Sequence, residues 1–146
     1  MLDSQHVLFH VTTDSQEDTI RKVVALAADT GRIKDISAVV QAVLDREQEG
    51  TTGFGKGIAI PHGKSDQVKE PTLLFARLAN PVDWNSLDGN PVDTLFVILV
   101  PADAATEHLK ILSKLARKLM HDDFVQQIKS IASTEALVQY VNAELQ

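Results

Sequence analysis

Apolar positions along the chain follow two spacings, and each change of spacing marks a new element. His6 to Thr12 (HVLFHVT) predicts a first strand. Asp14 and Glu17 then stand at capping-box spacing, and Ile20, Val23, Val24 and Ala27 recur every three or four residues. A helix is expected there, closed by Gly31. A second helix is expected from Asp35 to near Gln48, with Ile36, Val39, Val40, Val43 and Leu44 inward. Gly57 to Ile60 predicts a short buried strand, stopped by Pro61, which lacks an N–H for the ladder. Thr72 to Leu78 predicts another strand, with Val82-Asp83-Trp84 as a short separate one. Asp88-Gly89 marks a turn. Thr94 to Val100 (TLFVILV) is almost wholly apolar, as suits a central strand covered on both faces and ended at Pro101. A third helix is expected over Thr106 to Met120, with Leu109, Leu112, Ala116 and Leu119 on one face and Ile111 and Leu115 beside it. Asp122 to Ile131 and Ser133 to Leu145 predict two more. Strands interleaved with helices imply an α/β fold: a mixed, partly parallel sheet of about five strands flanked by helices on both faces.

Composition narrows the function classes. A chain of 146 residues, 44% apolar, suits one compact domain spanning 1–146. The formal net charge of −6 argues against nucleic acid and anionic membrane as partners, since both require basic surface. With no cysteine, disulfides and thiolate metal sites are excluded. The acidic N-terminal segment MLDSQHVLFHVTTDS is not a signal peptide, and no apolar run nears the roughly 20 residues of a membrane helix. A cytoplasmic protein with no direct membrane insertion is expected.

The segment with chemical potential is Thr51 to Lys64, TTGFGKGIAIPHGK. Its glycines allow a sharp turn or a close approach ahead of the strand. His62 is delivered to the strand end behind Pro61, with Gly63 leaving it uncrowded. Imidazole is nucleophilic and exchanges protons near neutrality, so a presented His62 could carry a labile phosphoryl group. The plainer alternative is an inert strand-capping histidine. His108 falls in the expected first turn of the third helix, where free N–H groups and the dipole favour phosphate. It could stabilise transferring oxygens, or simply be a solvated first-turn residue. Arg46 ends the second helix ahead of the glycines; a guanidinium can meet two phosphate oxygens, or merely complement the helix dipole. Thr52 is a candidate for positioning the loop or binding phosphate. His6 and His10, four apart on a strand, would point the same way but about 13 Å apart, too far to share a metal. His121 suits a solvated helix cap. A zinc site built from His62, His108 and a carboxylate lacks any HExxH-like spacing, and GFGKG lacks the Walker pattern. No cofactor is expected.

GIAIPHG resembles the phosphorylation-site signature of the fructose/mannitol-type (type-2) IIA proteins of the bacterial phosphoenolpyruvate-dependent sugar phosphotransferase system. LDREQEGTTGFG upstream is similar to that family's Arg-Glu approach to the glycine loop. SLDGNPVDTLFVILVPADAATEHLKILSKLARKL resembles its Asp-Gly turn, apolar strand and His-Leu helix, and SLDGNPV is most similar to fructose-type members. The likeness runs essentially the length of the chain. It implies the same α/β fold class and a phosphotransferase role. His62 would take a phosphoryl group from HPr or an HPr-like carrier domain and pass it to the IIB component of a sugar permease. His108 would be the second active-site histidine, and Arg46 would contact the phosphoryl group. The resemblance extends also to nitrogen-related IIA proteins, which act as regulatory phospho-switches on target proteins.

Overall fold

The computed structural model describes the backbone of residues 1–146 and all side chains except those of Ala105, Glu107 and His108. In chain order the elements are β1 (Leu2–Val11), α1 (Gln16–Asp29), α2 (Ile36–Glu49), β2 (Gly53–Gly55), β3 (Ile58–Ala59) and β4 (His62–Ser65). They continue with β5 (Thr72–Val82), β6 (Val92–Pro101), α3 (Ala105–Leu119), α4 (Asp122–Ser130) and α5 (Thr134–Glu144). The fold is α/β with a mixed, partly parallel sheet, which has six strands among the described residues rather than the five expected. Two strands were not expected, β2, which folds back antiparallel on β3 across Lys56-Gly57, and β4 beyond Pro61, while the separate strand expected at Val82-Asp83-Trp84 does not form.

β6 is the axis of the sheet. On one side it pairs antiparallel with β5, which in turn pairs parallel with β1. On its other side it pairs parallel first with β3 and then with β4. Strand alternation sends the side chains of β5 and β6 to two separate cores. Leu74, Ala76, Leu95, Val97 and Leu99 meet α1 and α2 through Ile20, Val24, Val39 and Val43. Leu73, Phe75, Phe96, Ile98 and Val100 meet α3, α4 and α5 through Leu115, Leu119, Phe124, Ile128 and Val141. Coverage on both faces is why β6 is apolar without alternation.

Several local expectations shift. The cap of α1 is Ser15, whose Oγ accepts from the Asp18 N–H, one residue later than the Asp14–Glu17 box. α2 begins as expected, with Asp35 accepting from Ala38 N–H. Val82 prolongs β5 instead of starting a strand of its own. On α3, Leu115 and Leu119 are the buried residues, Ile111 and Leu112 are half-buried, and Leu109 is exposed. Leu119 from the expected 109/112/116/119 stripe and Leu115 beside it enter the core shared with β6 and α4, while the start of the stripe at Leu109 stays in solvent. His6 and His10 do not share an environment. His6 is buried against the Thr30 hydroxyl, whereas His10 is exposed at φ 58° within an irregular stretch of β1, so strand periodicity fails between them.

Candidate functional site

β3 and β4 are one strand interrupted at Ile60-Pro61. Ala59 pairs with Leu95 and His62 with Ile98, so the register against β6 advances without a slip across the break. Pro61 has no N–H to give, but its carbonyl accepts from Ile98 N–H at 3.1 Å, keeping the strand attached. The N–H of Ile60 donates to the Thr52 carbonyl at 3.0 Å. Pro61 therefore does not terminate the strand, as its sequence position suggests; it produces a local break, and His62 opens the segment that follows.

The imidazole of His62 is 6% exposed and lies between two open grooves. One, of about 340 Å³, has apolar walls from Phe54, Ile60, Leu87 and Leu112. The other, of about 430 Å³, is bordered by Asp45, Glu49 and Lys64. Arg46 lines both, as His62 does. The residue is thus nearly buried, with a groove on either side of it. Its Nδ1 lies 2.9 Å from the Ile60 carbonyl oxygen. A carbonyl can only accept, so Nδ1 carries the proton and the lone pair of the neutral ring resides on Nε2. Burial lowers the proton affinity of His62 below its ordinary value, and the Arg46 guanidinium adds to the effect. The hydrogen bond to Ile60, Glu47 and Glu49 oppose it. Near neutral pH the ring is therefore an uncharged nucleophile.

Arg46 sits in the last turn of α2, with Nη1 donating to the Gly50 carbonyl at 2.8 Å. That bond ties the guanidinium to the helix end, as the dipole argument anticipates, and still leaves it bordering both grooves. Thr52 is buried, and its hydroxyl is engaged by protein groups: it bonds the Glu47 carboxylate and receives Trp84 Nε1–H at 3.4 Å. Its N–H also donates to Glu47, at 3.1 Å. This geometry suits a residue that positions the loop. His108 lies outside the described residues. His121 is the exposed residue preceding α4, in keeping with a solvated cap.

Several residues contribute more than their sequence positions suggest. Gly63 does more than spare His62 crowding: the backbone of α2 at Val43 lies against it. Asp88 accepts from Lys56 N–H and Asn90 N–H, which holds its carboxyl below the usual range and pins the β2–β3 turn. Leu87, next to Asp88 in the segment between β5 and β6, is 77% exposed at the rim of the apolar groove, and its N–H donates to the Gly53 carbonyl. Glu47 was legible in principle, because a carboxylate in the last helical turn opposes the dipole and needs a partner elsewhere. Among the described residues no cluster of three or more His, Cys, Asp or Glu side chains could hold a metal ion. Nor, among them, is any helix long and apolar enough to cross a membrane.

A family model described as phosphoenolpyruvate-dependent sugar phosphotransferase system, EIIA 2, matches residues 1–144. The chain is 45% identical over 131 residues to the PTS system fructose-specific EIIA component of Haloferax volcanii, covering 90% of this chain and 84% of that one. It superimposes on the crystal structure of the nitrogen regulatory protein IIA-Ntr from Neisseria meningitidis with a TM-score of 0.87 at 32% identity, over 99% and 96% of the two chains. The mannitol IIA in the complex of IIAMTL with phosphorylated IIBMTL from Escherichia coli matches with a TM-score of 0.78 at 20% identity, over 99% and 96%, a likeness of fold.

Proposed function

Because the chain belongs to the EIIA 2 family of the phosphoenolpyruvate-dependent sugar phosphotransferase system, we propose that it is a cytoplasmic phosphocarrier in which residues 1–146 act as one IIA unit and His62 holds the phosphoryl group. The observation that carries this is the arrangement of His62: Nδ1–H fixed on the Ile60 carbonyl, Arg46 alongside, and an open groove at the ring edge. The donor is the phosphohistidine of HPr or an HPr-like domain. Nε2 of His62 attacks phosphorus in line, the new N–P bond forms as the donor's N–P bond breaks, and the donor imidazole leaves with the electron pair. His62 keeps its Nδ1 proton throughout. Positive charge building on the ring is met by the Ile60 carbonyl, and negative charge on the phosphoryl oxygens by Arg46 and, on the family resemblance, His108. The same steps in reverse order of partners deliver the group to a IIB component.

Two proteins must reach one histidine in turn, and the exposed Leu87 with Phe54, Ile60 and Leu112 supplies an apolar rim for that purpose. Such exchange calls for an interface at the small end of the usual range. Fructose is the proposed sugar, on the likeness of SLDGNPV and the fructose-specific relative. A regulatory phospho-switch is the second reading, supported by the nitrogen regulatory relative that matches nearly the whole chain.

Incubation with phosphoenolpyruvate, enzyme I and HPr tests the core of this reading. Wild type should acquire an acid-labile phosphoryl group that maps to His62, and His62→Ala should acquire none; label surviving in that variant would refute the assignment. Adding the chain to a fructose system lacking its IIA separates the two roles. Restored sugar phosphorylation marks a transport component, and labelling without restoration marks the regulator.

A further inference from the structure

We infer that Glu47 is a positioning residue for His62, acting through a continuous run of hydrogen bonds that ends on the imidazole. The Glu47 carboxylate accepts both the N–H and the hydroxyl of Thr52. The Thr52 carbonyl accepts the N–H of Ile60 at 3.0 Å, and the Ile60 carbonyl accepts Nδ1–H of His62 at 2.9 Å. Consecutive bonds share a residue, first Thr52 and then Ile60, so displacement of Thr52 is passed to Ile60 and from there to the ring.

The run matters because of where it crosses the fold. Thr52 stands in a glycine-containing stretch between α2 and β2, and Ile60 precedes the proline break between β3 and β4. Neither has a helix around it to set its peptide orientation. Residue 60 can make no sheet bond through the following nitrogen, since Pro61 has no N–H. The Ile60 carbonyl is thus held from two directions, through Pro61, whose carbonyl accepts from Ile98 N–H, and through its own residue's N–H on Thr52; only the second is open to a side chain of α2. Thr52 in turn is held by a carboxylate at the end of α2, with Trp84 Nε1–H on its hydroxyl from the opposite side. Glu47 occupies a helix terminus where its charge is unfavourable, and the two donors of Thr52 offset that cost. In function, the run keeps the proton on Nδ1 and the lone pair on Nε2. Released, the ring could adopt the other tautomer and present a protonated nitrogen to the groove.

The inference rests on His62 being the phosphoryl acceptor, but its first readout does not require phosphorylation. Nitrogen-15 NMR of the unphosphorylated protein reports which ring nitrogen of His62 bears the proton. Wild type should show the Nδ1–H form. Glu47→Met, similar in size but without an oxygen acceptor, should populate the Nε2–H form and slow phosphoryl acceptance from HPr about tenfold or more, through the rate at saturation rather than the KM for the donor. Glu47→Gln can accept from Thr52 N–H and donate to its hydroxyl, so it should recover both the tautomer and most of the rate. Should Glu47→Met fail to fold, Thr52→Val set against Thr52→Ser asks the same question, with Ser expected to behave as wild type. Wild-type tautomer and rate in Glu47→Met would overturn the inference. So would equal damage in Glu47→Gln and Glu47→Met, since that would assign the effect to charge instead of hydrogen bonding. If tautomer follows Glu47 while the wild type takes no label on His62, the positioning stands and the phosphocarrier reading falls.

Discussion

A side chain on Gly63 would run into Val43: an added Cβ lies 2.8 Å from Val43 Cγ2 and 3.2 Å from its backbone nitrogen. The contact brings the axis of α2 close to β4, and Arg46 follows Val43 by one helical turn. The missing side chain at position 63 is thus part of what brings the guanidinium to the same grooves as His62.

Gly63→Ala should push α2 outward, because a short branched side chain and the backbone behind it cannot yield cheaply. Overpacking of this kind costs about 1–3 kcal/mol. Chemical denaturation should show that loss. Labelling from HPr should slow more than in a variant equally destabilised at a site remote from α2.

Arg46→Lys should keep the charge yet impair transfer, since an ammonium cannot make the paired contacts of a guanidinium with a phosphoryl group. Single-turnover labelling by phosphorylated HPr measures it. Unchanged rates would leave Arg46 as a helix-end residue bonded to Gly50.

The pH response of His62 follows from its surroundings. Burial, and after it Arg46, place its native proton affinity below the ordinary value of 6.5. Phosphoryl acceptance should therefore hold level from neutral pH through 6.5 and decline only as pH falls through the lower native value. In folding, native and unfolded rings are both neutral above the ordinary value. Below it the unfolded ring gains a proton that the native one resists, so this residue subtracts stability as pH falls, until the native ring also titrates. Arg46→Gln should raise the native value, and an NMR titration of the ring would record the change.

His108→Ala should slow transfer at least about tenfold if its role is that implied by the family resemblance, because loss of one charge-stabilising donor commonly costs more than that. Rapid-quench measurement of the label would decide it. A wild-type rate would return His108 to an ordinary helical position.

How much was legible differs from element to element. Asp35 marks the start of α2 in the sequence because capping is a local hydrogen bond between near neighbours. The central place of β6 follows from the unbroken apolar run Leu95 to Val100, which no half-exposed strand would carry. The seam of α3 was not legible in the same way. Two adjacent stripes were available, and the core shared with β6 and α4 buries one residue of each, Leu119 and Leu115, while leaving Leu109 outside. His10 likewise gives no sign of its left-handed backbone, which belongs to the irregular pairing of β1 with β5.

The amino-acid order alone determined the start of α2 at its Asp35 cap, which strand is covered on both faces, and that a glycine-rich turn and a proline lead into one histidine. Those features depend on periodicity and on backbone freedom, both of which act over a few residues. Tertiary structure decided the rest: that the strand resumes in register beyond Pro61, that Arg46 lines the same grooves as His62, and that Glu47 is linked to it through Thr52 and Ile60. These contacts join segments from separate elements, and the packing of α2 onto the sheet sets their geometry.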